Sequence, residues 1–141
     1  MSAVTVWQGL AEAFRTIDGL HAILLGEPTS IQATPLLYAG YASADQLMRS
    51  QAPARNLDGI THIFAVRLVF DYQDNDQAEM QLLTLADSVP SAINRDPRLG
   101  GRLSGGVAKS ISATSGFAMI AKKLYRILEF TVSVTEKRSA A

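Results

Sequence analysis

The residues that could support chemistry in this chain are few, and their spacing fits no common catalytic pattern. Gly101 and Gly106 are separated by four residues, as the glycines of a phosphate-binding loop are. In such a loop a lysine and a Ser or Thr directly follow the second glycine, because the lysine must reach the phosphates. Here Lys109 and Ser110 come two residues later, and the predicted order is helix then strand, the reverse of what the loop requires. We interpret the two glycines as backbone bends.

Metal binding and acid–base catalysis have as little support in the sequence as phosphate binding. The chain has no cysteine, which excludes disulfides and thiolate ligands, and only two histidines, His21 and His62. Neither histidine has an Asp or Glu at a helical or strand spacing that suggests a metal site, and we expect His62 at the edge of a strand. Asp71, Asp74 and Asp76 are clustered, but a turn and a helix cap account for them. There is no G-x-S-x-G motif. The sequence predicts no enzyme, no cofactor and no metal site.

The clearest structural pattern begins at Phe64. Alternating apolar residues from Phe64 to Phe70 predict a strand with one buried face. Steps of three and four between apolar residues predict a helix over 77–93, with Asp76 and Glu79 as its capping pair. Pro90 predicts a kink late in this helix, because proline lacks the N–H that would bond to the carbonyl of residue 86.

The other elements follow from the same periodicities. A helix is predicted over 4–17, and period-two alternation makes 125–136 the clearest strand. Residues 117–124 fit a helix or a strand equally well. Residues 42–60 have loop composition, and the alternative is a strand pair with a weak pattern. Weaker predictions are a strand at 21–25, a strand from Pro35 to Tyr41, a bent or bulged strand at 103–114 and a turn at Ser115-Gly116.

This order predicts a single α+β domain over residues 1–141. A largely antiparallel, mixed sheet of four to five strands would carry two helices on one face. We also predict a long loop around 42–60 and a frayed C-terminal tail at 137–141. No apolar run is long enough for a membrane helix, and the first residues do not have the pattern of a signal peptide.

Charge is balanced overall but unevenly distributed. Residues 1–94 hold four basic and ten acidic groups, a net charge of −6, and residues 95–141 hold nine basic and three acidic groups, a net charge of +6. Chance and solvated faces explain such a split, and so do two complementary surfaces that pack head to tail. The basic half has no interleaved aromatic residues, so we do not predict specific nucleic-acid binding.

The landmarks of the chain resemble the tail terminator (tail completion) proteins of long-tailed bacteriophages, which are related to minor tail and head–tail joining proteins. The resemblance covers most of the chain but not residues 42–60. It is carried by Ile17-Asp18-Gly19-Leu20, by Glu27-Pro28 with Pro35-Leu36-Leu37-Tyr38, by the strand Phe64–Tyr72 leading into the helix, by Asp96-Pro97-Arg98-Leu99-Gly100-Gly101, and by the closing strand Arg126–Val134.

The resemblance implies a structural protein of the virion tail or neck, made in the host cytoplasm. Its copies would form a hexameric ring on the head-proximal end of the tail tube, end tube polymerisation and offer a docking surface for the head connector. The implied partners are further copies of the chain, the tail tube protein and the head connector or neck protein, with no membrane and with room for DNA to pass through the ring.

Physical reasoning alone gives the candidate interface residues, because the two segments 42–60 and 98–109 are long and charged. They are Gln46, Arg49, Arg55, Asp58, Arg98, Arg102 and Lys109. Two other functions stay open: a head-completion or neck protein of the same particle, and a monomeric module that binds a small molecule or a peptide.

Overall fold

The computed structural model describes residues 3–48, 57–101, 103 and 107–137. Three helices and five strands follow one another in these ranges. In chain order they are α1 (Ala3–Phe14), β1 (Ile23–Leu25), β2 (Leu36–Met48), β3 (Leu57–Asp71), α2 (Asn75–Leu85), α3 (Ser88–Arg95), β4 (Val107–Ile120) and β5 (Lys123–Lys137).

The strands form one mixed sheet in the order β1-β2-β3-β5-β4. Only β1 and β2 run parallel, and the other three neighbouring pairs are antiparallel. The chain is therefore an α+β protein with a largely antiparallel five-stranded sheet, as the sequence predicts. The order leaves β4 at one edge of the sheet and the short β1 at the other.

The main core lies between the helices and one face of the sheet. Alternate residues of the central strands point into it, including Phe64 and Phe70 of β3 and Phe130 of β5, all nearly inaccessible to solvent. Helix α1 adds Val6, Leu10 and Phe14, which are four residues apart and so share one helical face. The predicted alternation in both strands is confirmed, and so is the placement of the helices on one face.

The predicted helix over 77–93 is two helices, and the break lies earlier than the kink expected at Pro90. Helix α2 ends at Leu85 and α3 begins at Ser88, so Pro90 lies in the first turn of α3, where a missing N–H is tolerated. The Ser88 hydroxyl donates to the carbonyl of Leu85 at 2.6 Å and satisfies one of the carbonyls at the end of α2.

The predicted cap of this helix is corrected as well. Asp74, not Asp76, is the N-cap of α2, and its carboxylate accepts from the backbone N–H of Gln77 at 3.1 Å. Asp76 lies in the first turn, where its charge suits the positive end of the helix dipole. Glu79 pairs with Arg126 of β5 instead of closing a capping box.

The long loop predicted at 42–60 is wrong, because most of it forms the far half of a hairpin. β2 continues to Met48 and β3 starts at Leu57, and the two pair residue by residue from Leu36↔Val69 to Met48↔Leu57 with two irregularities. The strand pair that the sequence analysis kept as its alternative is the correct one. Residues 49–56 lie outside the described part of the chain.

Two further predictions concern the C-terminal hairpin. Ser115-Gly116 is not a turn but the middle of β4, and the ambiguous residues 117–124 continue that strand and begin β5. The turn is at Ala121 and Lys122, whose φ angles of 52° and 69° give the left-handed conformation without a glycine. A bulge between Ser110 and Ser112 confirms the bent strand expected there. Of the predicted tail, Lys137 ends β5 and residues 138–141 lie outside the described part.

Candidate assembly surface

The outer edge of β4 is the longest unpaired feature in the described part of the chain. β4 is 14 residues long and pairs with β5 on its inner side, while no described strand pairs with its outer side. Only its beginning is covered, where the backbone N–H of Ala108 donates to the carbonyl of Pro97 at 2.7 Å. An unpaired strand of this length is a template for pairing with another chain.

The side chains of β4 do not protect this edge. From Ile111 to Ser115 every residue is exposed, on both faces of the sheet. No charged residue occurs between Lys109 and Lys122, and there is no proline in that stretch. Natural proteins usually shield an edge strand with charges, prolines or a short length. The absence of all three from this strand marks its edge as a candidate for assembly.

Apolar side chains are exposed at the far end of the same strand. Phe117 is 51% exposed and Met119 is 63% exposed, and Leu124 lies opposite Met119 on β5. We call these three residues the β4 patch. The ring of Tyr72 packs edge-on against Phe117 at a centroid distance of 4.8 Å, which fixes the orientation of the exposed ring. The patch is on the helix side of the sheet, since Phe117 is paired with Arg126, which bonds to α2.

Arg126 packs against Phe117 and so positions the β4 patch. Its guanidinium pairs with Glu79 of α2, donates to the carbonyl of Gly116 at 2.8 Å and lies 4.7 Å from the centre of the Phe117 ring. Only 12% of the Arg126 side chain is exposed. One side chain therefore ties α2, β4 and β5 together where β4 meets solvent.

The opposite edge of the sheet is also only partly covered. β1 has three residues and pairs with β2 only from Leu37 to Ala39. Among the described strands, none pairs with the outer side of β2 from Gly40 to Met48. Both edges of the sheet therefore have free backbone groups, and the β2 edge is stepped, with β1 projecting beside its first half.

A second apolar surface lies beside this stepped edge. Val4 and Leu25 are 65% and 61% exposed, and Tyr41 is 46% exposed. We call these three residues the β2 patch. Together with Trp7 and Phe64 they line a shallow pocket of about 150 Å³. Leu25 is level with the core residue Ala39, and Tyr41 packs on Phe64, so this patch is also on the helix side.

His62 positions Tyr41 and does not lie at a strand edge as predicted. It is in the central strand β3, is 5% exposed, and its Nδ1 lies 2.8 Å from the Tyr41 hydroxyl. The Tyr41 ring also meets Phe64 edge-on, with centroids 5.3 Å apart. This pair could not be inferred from residue spacing, because it depends on the register between β2 and β3.

The other face of the sheet is not covered by any of the described helices. It carries a second buried apolar cluster, which includes Tyr38, Val69 and Ile127, and a polar row that also includes Tyr38. Arg67 Nε lies 3.2 Å from a carboxylate oxygen of Glu129, and Arg67 Nη1 donates to the Tyr38 hydroxyl at 2.9 Å. Burial raises the pKa of Tyr38, and the hydrogen bond and charge of Arg67 oppose that rise. Arg67 therefore joins three neighbouring strands, and the row is a cross-strand brace.

The predicted interface residues come together at one end of the sheet, as far as they are described. Gln46 and Asp58 lie on β2 and β3 near the end of their hairpin. Arg98 and Lys109 are exposed and flank the bond between Pro97 and Ala108. The register places the start of β4 level with Asp45, so both segments occupy the same end. Arg49, Arg55 and Arg102 lie outside the described residues.

Ligand chemistry finds little support in the described residues. A cleft of about 320 Å³ lies between β1 and residues 30–33, and among its lining residues His21 alone is titratable. Within residues 3–48, 57–101, 103 and 107–137, no three His, Asp or Glu side chains are grouped as metal ligands. No helix in those ranges is long and apolar enough to cross a membrane. Neither the family models nor the curated proteins contain a match to this chain.

Proposed function

We propose that this chain is a structural subunit that forms a ring on the head-proximal end of a bacteriophage tail tube. In that position the ring ends tube polymerisation and provides the surface on which the head connector docks. The observation that carries the proposal is the outer edge of β4, which is long, has no charged residue between Lys109 and Lys122, and is exposed on both faces from Ile111 to Ser115. An edge of this kind suits a protein whose function is to pair with copies of itself.

Two other observations support assembly over catalysis. The described titratable side chains that contact one another, such as Arg67 with Glu129 and Arg126 with Glu79, pair across strands or brace a helix. Most of the exposed large apolar side chains, by contrast, lie at or beside the two edges of the sheet, and Met80 and Leu83 on α2 are the exceptions. The position that we propose for the ring in the particle is taken from the resemblance of the chain's sequence landmarks to tail terminator proteins.

The first test is the oligomeric state, measured by native mass spectrometry over a concentration series with negative-stain images of the same samples. The expected result is a hexamer with a central hole. The second test adds the protein to polymerising tail tube protein, where it should shorten the tubes and appear at one tube end. A protein that stays monomeric in solution and leaves tube length unchanged would contradict the proposal.

A variant of the β4 edge tests the observation behind the proposal. Ser112→Lys with Thr114→Lys places two charges on exposed positions of the edge, and it should abolish ring formation while leaving the unfolding free energy within about 0.5 kcal/mol. Ser91→Lys with Asn94→Lys adds the same charges to exposed positions of α3 and serves as the control.

A ring that binds the head connector but leaves tube growth unchanged would indicate a neck protein instead.

A further inference from the structure

We propose that the β4 edge of one copy docks on the β2 edge of the next copy, so that the chain assembles head to tail through two unlike edges. The proposal rests on the proposed function in that the ring is made of copies of this chain. It adds the surfaces that meet, their orientation and their register. Three independent features of the described residues support it: charge, apolar surface and backbone pairing.

The charges of the two edges are opposite. Residues 16–48 contain Asp18, Glu27 and Asp45 and no lysine or arginine. Residues 107–126 contain no acidic residue, and Lys109 and Lys122 are exposed there. Lys123 and Arg126 are already paired with Asp71 and Glu79 within the same copy. Pairing two β4 edges or two β2 edges would bring like charges together, whereas pairing unlike edges brings opposite charges together.

The apolar patches favour the same arrangement. The β4 patch and the β2 patch lie on the same side of the sheet but at opposite edges. A two-fold dimer through β4 would cover Phe117 and Met119 and leave Leu25 and Tyr41 in water. A head-to-tail contact covers both patches in every copy, and such contacts close into rings or continue as filaments.

The backbone of the two edges fits an antiparallel pairing at one register. β4 and β2 run in opposite directions within one copy, so a neighbour related by rotation about an axis along the strands presents its β4 antiparallel to β2. The projecting β1 prevents β4 from pairing level with the first half of β2. Sliding β4 by about six residues places residues 112–118 beside residues 40–46. This register requires Met119 and Ile120 to bend away from β2, because β1 occupies the level of residues 37–39. The same slide brings Phe117 level with Tyr41, so edges and patches come into register together.

Cross-linking tests this arrangement directly, because the chain has no cysteine. Ser115→Cys on β4 and Ala42→Cys on β2 are both at exposed positions, and in the proposed register Ser115 is level with residue 43, one residue from Ala42. With a short bis-maleimide, each single variant alone should stay monomeric on a denaturing gel. A mixture of the two should give dimers only, and the double variant should give a ladder of covalent multimers.

Two outcomes would overturn the inference. Dimers from Ser115→Cys alone would indicate a two-fold contact between β4 edges. A double variant that gives no ladder, whether or not native mass spectrometry finds oligomers, would show that β4 and β2 of neighbouring copies do not meet. A ladder from a protein that neither forms closed rings nor shortens tail tubes would instead overturn the proposed function and leave the inference standing.

Charge reversal gives an independent test with variants at exposed surface positions. Lys122→Glu and Glu27→Lys should each weaken self-association roughly five- to tenfold. An equimolar mixture of the two should regain most of the affinity, because every joint of an alternating ring then has one acidic and one basic side. Arg15→Glu, an exposed position on the helix side, is the control and should have no effect. A mixture no tighter than either single variant would contradict the pairing.

Discussion

At the scale of single residues, Arg126 contributes to the fold and to the proposed assembly surface at once. Its guanidinium reaches Glu79, the carbonyl of Gly116 and the ring of Phe117 from a largely buried position. Breaking a charged hydrogen bond at a buried position costs more free energy than breaking one at the surface. Substitution of Arg126 should therefore destabilise the protein more than its place near a strand end suggests.

We expect Arg126→Met to lower the unfolding free energy by about 1–3 kcal/mol, since Glu79 and the Gly116 carbonyl both lose their partner. Urea unfolding followed by circular dichroism measures this change. Arg95→Met is the matched control, because Arg95 makes its hydrogen bonds at the surface and should cost less than about 0.5 kcal/mol. Equal effects from the two substitutions would contradict a bracing role for Arg126.

Tyr38 gives the polar row a measurable pH dependence. Burial raises its pKa above the ordinary 10.0, so the folded protein keeps this proton at a pH where the unfolded chain loses it. The stability that this group contributes is therefore complete below pH 10.0 and is lost as the pH rises through the folded pKa.

We expect the unfolding free energy of Tyr38→Phe to fall less than that of the natural protein as the pH rises above 10.0. Chemical unfolding at a series of alkaline pH values measures the difference. Tyr72→Phe, at the end of the same sheet, controls for the loss of one phenol. Identical pH slopes for Tyr38→Phe and the natural protein would rule out this effect.

At the scale of elements, the hairpin of β2 and β3 joins the core to the candidate interface. Met48 and Leu57 are its last paired residues in the described part. A two-residue turn can join such a pair directly, so the eight residues 49–56 are not needed to close the hairpin. They include the candidate interface residues Arg49 and Arg55.

Replacing residues 49–56 with Asn-Gly should keep the fold and weaken self-association. Shortening the connection from eight to two residues lowers the closure cost by about 1.2 kcal/mol, so the unfolding free energy should stay equal or rise. Urea unfolding and native mass spectrometry measure the two effects. An eight-residue Gly-Ser replacement separates loop length from side chains. Unchanged assembly in both variants would remove Arg49 and Arg55 from the interface.

The sequence predicted the elements that are regular along their whole length. Residues 64–70 and 125–136 alternate strictly because one of their faces is buried in the core. Residues 42–48 belong to the β2–β3 hairpin, in which Met48 pairs with Leu57, but they contain no β-branched or aromatic residue, so their composition does not identify them as a strand. Gly116 suggested a turn because glycine often marks one, while the actual turn at Ala121 and Lys122 has no turn-forming residue.

The candidate assembly surface was only partly predictable for a related reason. The uneven charge is visible in the sequence, and it led to the idea of two complementary surfaces. Which strands lie at the edges is decided by the order β1-β2-β3-β5-β4, and this order depends on pairings between distant residues. The exposure of Phe117 and Leu25 could therefore not be inferred from their spacing.

At the scale of the whole molecule, acidic and basic residues lie in different parts of the chain. Residues 16–48, which include β2, contain no lysine or arginine, and residues 107–126, which include β4, contain no acidic residue. The net charge is zero, so no overall repulsion opposes the approach of two copies. Attraction between unlike edges should instead dominate the long-range part of the encounter.

Self-association should therefore weaken as ionic strength rises. Going from about 0.1 M to about 1 M salt shortens the screening length from roughly 10 Å to roughly 3 Å, which removes most of the attraction between exposed charges. Sedimentation velocity across this range measures the change, and a constant unfolding midpoint shows that the fold is intact. Association that is insensitive to salt would contradict an electrostatic role for the edges.

The shortness of β1 has a geometric consequence for any ring built from these copies. If β1 forces each neighbour to slide by about six residues, the slide is roughly 20 Å along the strands. The repeat is four strands (β2, β3, β5 and β4) and is roughly 19 Å wide, because the neighbour pairs with β2 and not with β1. A closed ring absorbs such a slide only if its strands incline to the axis, here by about 45°, which is the upper end of the range of tilts seen in β-barrels. The strands of every copy would then incline to the ring axis in the same sense and by the same angle. A cryo-EM map with strands parallel to the axis would exclude this arrangement.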